Sequence, residues 1–331
     1  MAFWQRLEPG YALIAGIDYP FPMRCVLGFD GGGTKTDCVL MDETGAVLAR
    51  TRSGPSNPSR VSMDAAESAL NDAADQVLKV SGKSPAEIAA IYGGIAGVGA
   101  AEAIPEVTRR LKAKFSDAIV KIDSDVHVSL AATGEIPSIL VIAGTGSAVI
   151  GRNTPEVLAR EGGLGPILGD PGSAYDIGRK AAIFGLRRHL LCESTYLGTE
   201  ILHSLNCNWP ELQELIRTNA DGVLPRIFPI VANAANQGDS SARAILNSAA
   251  EELSELVVRV IERLRLRDRR FFVAKTGGVF GRSAFFDDHF DALIRKIAPN
   301  ARLGPLPEPI VEFAARAALA SLQNVVKHAR D

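Results

Sequence analysis

One stretch of the chain, CVLGFDGGGTKTD at residues 25–37, combines the carboxylate of Asp30, three consecutive glycines and several hydrogen-bond donors. The glycines predict a turn in which backbone N–H groups can approach an anion closely, because no side chain stands in the way. Asp30 ends the apolar run before the turn and is placed to hold a metal ion or a metal-bound water. The candidate phosphate ligands are Gly31, Gly32, Gly33, Thr34, Lys35 and Thr36. The stretch therefore predicts a phosphate-binding turn, and a plain glycine-rich β-turn is the alternative.

The residues after this turn separate it from the two common nucleotide-binding fingerprints. A Walker loop reads GxxxxGK[ST] and a dinucleotide loop reads GxGxxG, and each of them leads into a helix. Here residues 37–41 form a second run that is typical of a strand. We therefore expect the phosphates to meet a hairpin between two strands.

The elements around the turn predict a unit that occurs twice. The first half is expected to hold a three-strand meander and then alternating helices and strands, at about 25–29, 37–41, 46–51, 61–80, 88–94, 102–114 and 118–122. The pattern restarts with apolar residues 139–143, a turn at Gly144, Thr145 and Gly146, and a strand at 148–152. Val47-Leu48-Ala49-Arg50 also recurs as Val157-Leu158-Ala159-Arg160. Two related α/β halves are the prediction.

The second half is the longer one. It carries a helical insertion at about 174–264, followed by a strand at 271–274 and the glycine pair Gly277 and Gly278. Ser283 can cap the helix after that pair, and a final helix is expected at about 310–327.

Composition narrows the class of protein. The length of 331 residues favours two domains, and a net charge of −2 argues against nucleic acid or an anionic membrane as the main partner. Apolar runs stay well short of the roughly 18 residues that a membrane span needs. The four cysteines lie far apart without a CxxC pair, which argues against zinc ribbons and indicates free thiols in a reducing cytoplasm. Residues 1–23 lack a convincing signal-peptide core and are expected to be an N-terminal extension.

Several motifs together carry a resemblance to a known family. They read FDGGGTKTD, SNP at 56–58, SD at 124–125, AGTGS, GGLGPILGDPGSA and TGGVFG. As a set they resemble the BadF/BadG/BcrA/BcrD-type ATPases of the sugar kinase, actin and Hsp70 superfamily, within the N-acetylglucosamine kinase and glucosamine kinase branch. The resemblance covers nearly everything after Met23. It implies an α/β fold of two duplicated ribonuclease H-like (actin-like ATPase) domains, at 24–124 and 125–331, with a cleft between them.

The resemblance also implies ligands and roles. ATP and Mg²⁺ are the implied cofactors, with Asp30 and the first glycine turn facing the β- and γ-phosphates and the metal. Gly144, Thr145 and Gly146 would cup the phosphates, and Gly277 and Gly278 would let the backbone approach the adenosine. The implied sugar-binding residues are Asn57, Asp125, Gly144, Thr145, Asp170 and Ala174.

Asp125 is the candidate catalytic base. Phosphoryl transfer needs one group to accept the proton of the attacking hydroxyl, and a carboxylate at a helix start can do so. The alternative is an acid that caps the same helix. Asp170 could likewise bind sugar or a metal-bound water, or the turn at 169–173 that contains it could simply cap the helix from Ala174. Asn57 could bind sugar or complete an Asx turn.

Three departures from the family pattern leave the acceptor sugar open. Leu164 stands where the branch carries tryptophan, Pro171 where it carries glutamate, and Ala96 where N-acetylglucosamine kinases tend to place serine. The expected function is ATP-dependent phosphorylation of a hydroxyl, most simply the 6-OH, of N-acetylglucosamine, glucosamine or a related hexosamine. An ATPase activator of a radical dehydratase or reductase and a non-catalytic sugar sensor are the alternatives. A homodimer is suggested by the resemblance alone.

Overall fold

The strands and helices follow the predicted order closely. The computed structural model describes residues 24–98, 103–155 and 157–328, with side chains to residue 322, so the predicted extension at 1–23 lies outside the described residues. The strands are β1 (Cys25–Gly31), β2 (Thr36–Met41), β3 (Val47–Ser53), β4 (Ile88–Ile95), β5 (Ile119–Ser124), β6 (Ser138–Ala143), β7 (Ser147–Arg152), β8 (Leu158–Gly162), β9 (Phe271–Thr276) and β10 (Ala301–Pro305). The helices are α1 (Met63–Ser81), α2 (Ala103–Lys114), α3 (Asp125–Ala131), α4 (Ala174–Leu190), α5 (Tyr196–Leu205), α6 (Trp209–Asn236), α7 (Ser240–Leu264), α8 (Ala284–Ile297) and α9 (Ile310–His328).

Two five-stranded sheets repeat one topology. The first has the order β3-β2-β1-β4-β5, and the second has the order β8-β7-β6-β9-β10. In each sheet the first three strands form an antiparallel meander, and the last two run parallel to the central strand. The parallel pairs need crossover connections, which the intervening helices supply. The predicted duplication of an α/β unit is confirmed.

The chain divides into two units. Of the described residues, those within 24–134 and 307–328 belong to the first. The last helix, α9, lies directly on β1, because Gly28 has no side chain: a methyl group there would lie 2.4 Å from the carbonyl oxygen of Val311 and from the amide nitrogen of Ala315. This packing and the contacts of α3 with β4 place both helices in the first unit, whereas the predicted boundary after residue 124 assigned them to the second domain.

The second unit, Glu135–Leu306, holds the helical insertion α4–α7. Its core joins apolar residues of β6, β7 and β9 to those of the four inserted helices and α8. The helices α4 and α6 cross closely at Gly178, where a methyl group would lie 1.9 Å from the carbonyl oxygen of Leu224. None of the described helices combines the length and the apolar character that crossing a membrane requires.

Candidate active site

The first glycine turn joins two antiparallel strands, as predicted. Gly31 at the end of β1 pairs with Thr36 at the start of β2, and the amide of Gly32 donates to the carbonyl oxygen of Lys35 at 2.8 Å. The amides of Gly33 and Thr34 donate to no residue that the structure describes. The turn is therefore closed by one internal hydrogen bond and keeps two backbone donors for a ligand.

A polar loop after β3 supports this turn from behind. The amide of Ser56 donates to the carbonyl oxygen of Gly32 at 3.1 Å. The hydroxyl of Thr36 donates to the carbonyl oxygen of Gly54 at 2.8 Å and accepts from the hydroxyl of Ser56, whose Oγ also lies 2.8 Å away. Thr36 is fully buried. Its hydroxyl is thus committed within the unit, and this corrects the expectation that all donors of the stretch face a phosphate. A methyl group at Gly31 would lie 2.3 Å from Ser56 Oγ, so this glycine is required for packing.

Lys35, the expected ammonium donor, is held by a neighbouring acid. Its Nζ lies 2.8 Å from one carboxylate oxygen of Asp37, and Arg52 Nε lies 2.6 Å from the other. Burial raises the pKa of Asp37, but hydrogen bonds from Arg52 and Lys35 outweigh it, so the pKa lies below its usual value. Because about half of the Lys35 side chain is exposed, this ion pair is weak and can open.

Asp30 lies at the end of β1 among other carboxylates. Its pKa is raised to about 6, mainly by burial and also by the charges of Asp37 and Asp125, while the charge of Lys35 acts in the opposite direction. Asp30 and Asp125 are thus electrostatic neighbours within the first unit. A half-buried carboxylate with two acidic neighbours favours a cation, and Mg²⁺ is commonly held by one or two carboxylates together with substrate phosphates. Asp30 therefore fits the magnesium ligand expected from the sequence.

Asp125 is the first residue of α3 and does not cap it. Ser124 is the N-cap, and its Oγ accepts a hydrogen bond from the amide of His127 at 3.2 Å. The capping alternative for Asp125 is therefore wrong, and its half-buried carboxylate lies at the positive end of the helix. The ring of His127 turns back to Asp123, with Nδ1 2.9 Å from Oδ1.

Asn57 completes an Asx turn in the loop that supports the first glycine turn. Its Oδ1 accepts from the amide of Ser59 at 2.8 Å and lies 1.9 Å from where a methyl group at Gly97 would be. Ala96 donates its amide to the carbonyl oxygen of Gly31 at 2.7 Å. The end of β4 thus brings Asn57 and Ala96 beside the first glycine turn, while a sugar contact of Asn57 stays a prediction.

In the second unit three predicted segments come together at the end of β6. The amide of Ala174 donates to the carbonyl oxygen of Gly144 at 2.8 Å, and the amide of Val279 donates to the carbonyl oxygen of Ala143 at 2.9 Å. Gly277 has φ +104°, and a methyl group on it would lie 2.2 Å from the carbonyl oxygen of Ala143. The two glycine segments and the start of α4 therefore form one hydrogen-bonded cluster.

Asp170 belongs to the same cluster. It is buried, has φ +56°, and places Oδ2 2.5 Å from where a methyl group at Gly146 would be. Ser173, not Asp170, caps α4, since Ser173 Oγ accepts from the amide of Asp176 at 3.2 Å. The turn at 169–173 thus caps α4 through Ser173 and not through Asp170, and binding of sugar or of a metal-bound water stays the prediction for Asp170.

The sequence gives little signal for two supporting residues. Arg60 lies in a polar loop that is typical of a linker, and Asp176 lies inside α4. The carboxylate of Asp176 accepts from the amide of Gly172 at 3.1 Å and pairs with Lys180 Nζ at 2.7 Å, which fixes the turn that carries Asp170. Ser283 precedes α8 as predicted, but its hydroxyl donates to Asn236 rather than capping the helix.

The repeated sheet topology, with a glycine turn after the first strand of each meander, defines the ribonuclease H-like class found in actin-like ATPases. The chain belongs to the BadF/BadG/BcrA/BcrD ATPase family, whose sequence pattern matches residues 27–320.

Relatives of known name and solved structures agree with this assignment. An N-acetyl-D-glucosamine kinase of Dictyostelium discoideum is 29% identical over 84% of this chain and 92% of its own length. An N-acetylmuramic acid/N-acetylglucosamine kinase of Clostridium acetobutylicum is 30% identical over 85% of this chain and 94% of its own. A crystal structure from Porphyromonas gingivalis has a TM-score of 0.71 at 21% identity, covering 90% of this chain and 99% of that one. A ROK family glucokinase from Streptomyces griseus, solved with glucose and AMPPNP, has a TM-score of 0.58 at 16% identity, covering 90% of this chain and 99% of its own. At these identities both solved structures show the fold alone.

Proposed function

We propose that this protein is an ATP-dependent sugar kinase that transfers the γ-phosphoryl group to a hydroxyl of N-acetylglucosamine or a related hexosamine. The observation that carries the proposal is the register of the first sheet, in which the ends of β1, β4 and β5 are aligned, so that Asp30 and Asp125 lie at the same edge of the sheet as the first glycine turn. A phosphate-binding turn, a metal ligand and a base are the parts that phosphoryl transfer to an alcohol needs. The names of the two relatives supply the sugar class.

The roles of the residues follow from this arrangement. Gly33 and Thr34 would donate their amides to phosphate oxygens, and the cluster around Gly144 and Gly277 would bind phosphate and adenosine. Mg²⁺, when bound near Asp30, supplies positive charge to the phosphates. Asp125 would accept the proton of the 6-hydroxyl of the sugar as the hydroxyl oxygen attacks the γ-phosphorus.

A coupled assay of ADP release tests the function directly. The purified protein is offered N-acetylglucosamine, N-acetylmuramic acid, glucosamine and glucose with MgATP, and Asp125→Asn is compared with the wild type. We expect a loss of about 10²–10⁴-fold in kcat, the usual effect of removing a general base. Asp123→Asn is the matched control, because Asp123 lies two residues away and its amide replacement can still accept from Ser124.

Other outcomes would identify the alternative functions. ATP hydrolysis with no phosphorylated sugar, together with an iron–sulfur chromophore, would indicate an activator of a radical enzyme. Sugar binding without ADP release would indicate a sensor. Full turnover by Asp125→Asn would contradict the role of this residue as the base.

The cellular setting and assembly are part of the same proposal. We propose a cytoplasmic enzyme, since ATP is the phosphoryl donor and the four cysteines are free thiols. A homodimer stays a prediction, which sedimentation of the purified protein tests.

A further inference from the structure

The side chain of Arg60 lies across the first glycine turn. Arg60 follows the Asx turn of Asn57, and its amide donates to the carbonyl oxygen of Asn57 at 2.9 Å. A methyl group at Gly33 would lie 2.9 Å from Arg60 Cδ, 3.0 Å from one terminal guanidinium nitrogen and 3.2 Å from Nε. The guanidinium therefore packs against the bare face of Gly33, beside the amides that donate to no described residue.

The charges around this turn distinguish Arg60 from its neighbours. Lys35 and Arg52 both pair with Asp37. Arg60 is exposed, and it shows no ion pair or side-chain hydrogen bond to any residue that the structure describes. Its donors are thus uncommitted at the place where the proposed function requires an anion.

We propose that Arg60 is the residue that binds the terminal phosphates of ATP at this turn and neutralises charge on the phosphoryl group during transfer. A guanidinium presents several N–H donors in a planar fork that matches two oxygens of one phosphate. Such a group stabilises charge that develops on the equatorial oxygens in the transition state. The inference rests on the proposed kinase function and adds a cation that the sequence motifs did not identify.

The transfer step balances without a further reactant. The bond between the γ-phosphorus and the β,γ-bridging oxygen breaks, and its electron pair leaves with ADP. A bond forms between the phosphorus and the sugar oxygen, whose proton passes to Asp125. Arg60 keeps its protons and supplies only charge and hydrogen bonds.

A purely structural role is the competing explanation. Arg60 could cover Gly33 simply to shield the turn, in which case its replacement would change stability but not the phosphate dependence of nucleotide binding. The two roles are therefore separated by measuring affinity for ATP and for AMP, because AMP lacks the terminal phosphates.

The experiment compares Arg60→Met, Arg60→Lys and Lys35→Met with the wild-type enzyme, and Arg109→Met serves as a control on the exposed face of α2. We expect Arg60→Met to lower kcat by about 10²–10³-fold, as for the loss of one donor to a developing anion. Arg60→Lys should recover part of this loss, because it restores the charge but not the fork. Lys35→Met should cost less than Arg60→Met, because Nζ of Lys35 lies against the carboxylate of Asp37, whereas the guanidinium of Arg60 lies against Gly33.

Calorimetric titration with ATP and with AMP gives the second readout. Arg60→Met should weaken ATP binding by at least about tenfold and leave AMP binding and the melting temperature unchanged, as expected for one charged hydrogen bond. Kinetics of Arg60→Met within about threefold of an active wild type would overturn the inference while leaving the kinase function intact. A larger loss in Lys35→Met than in Arg60→Met would also overturn it. If the wild type phosphorylates no sugar but Arg60→Met still abolishes the preference for ATP over AMP, the proposed function fails and phosphate binding by Arg60 stands.

Discussion

Replacing Gly278 by alanine adds a methyl group at a position where the protein itself leaves open space. Among the described residues, no heavy atom lies within 4 Å of the added carbon other than those of its chain neighbours, and φ of Gly278 is outside the left-handed region. Gly277, one residue earlier, is the opposite case. Its φ is +104°, and its methyl group would lie 2.2 Å from the carbonyl oxygen of Ala143.

These geometries set the expected magnitudes. Alanine at residue 278 should leave stability unchanged or raise it by about 0.4–1 kcal/mol, because alanine reduces the freedom of the unfolded chain. A nucleotide against this backbone would meet the new methyl group, and overpacking of that kind costs about 1–3 kcal/mol. Since 1.4 kcal/mol corresponds to tenfold, the KM for ATP should rise by about 5- to 150-fold.

Gly277→Ala should instead act on the fold. The left-handed conformation costs an L-residue about 1–2 kcal/mol, and the clash with Ala143 adds overpacking. A total near 3 kcal/mol would lower the melting temperature by about 6–12 °C.

The assay measures thermal unfolding and the ATP dependence of ADP release for both variants at saturating sugar. The expected pattern is a KM effect without a melting-temperature effect for Gly278→Ala, and a lowered melting temperature for Gly277→Ala. An unchanged KM in Gly278→Ala would refute the assignment of this backbone to the nucleotide. A lowered melting temperature of Gly278→Ala would contradict the open space that the structure leaves for a methyl group at residue 278.

Two further predictions concern stability. Gly28→Ala should lower the free energy of unfolding in urea by about 3 kcal/mol or more, since backbone atoms of α9 lie 2.4 Å from the added methyl group. Gly54→Ala is the control: its methyl group meets no described atom within 4 Å, so the free energy of unfolding should change by no more than about 0.5 kcal/mol. Burial raises the pKa of Asp176, but the hydrogen bond from Lys180 and its charge outweigh burial, so this pKa lies below its usual value. The ionised carboxylate therefore stabilises the fold above about pH 4. Asp176→Asn should therefore lower the stability of the fold by about 2 kcal/mol at pH 7. The difference in melting temperature between this variant and the wild type should shrink as the pH falls below about 4. A difference that stays constant down to about pH 3 would contradict this prediction.

The central strands and both glycine turns could be predicted because their signals are local. Apolar runs bounded by glycines define β1 and β6, and the strand after each turn follows from a second apolar run. The edge strand β10 was not predicted, since ARLGP has little apolar alternation and ends in proline. The position of α9 on β1 could not be predicted either, because the contact at Gly28 joins residues that lie far apart in the sequence.

The candidate site was predictable in its glycines and acids but not in its supporting residues. Ser124 and Asp125 are both good N-cap residues, so the sequence could not decide which of them caps α3. The same ambiguity applied to Asp170 and Ser173. No sequence pattern singles out Arg60, because its proposed role depends on a tertiary contact with Gly33.

The supporting loops explain why both glycine turns keep free amides. In a trans peptide the carbonyl of one residue and the N–H of the next point in opposite directions. The carbonyl of Gly32 is bound by the amide of Ser56, and the carbonyl of Gly144 by the amide of Ala174. The N–H groups of Gly33 and Thr145 must therefore point away from these loops, and neither donates to any residue in the described part of the chain. In each unit the orientation of an amide that is predicted to bind an anion is thus set by a segment downstream of the hairpin, which is the loop of Ser56 in the first unit and the start of α4 in the second, and the glycines provide only the freedom to adopt it.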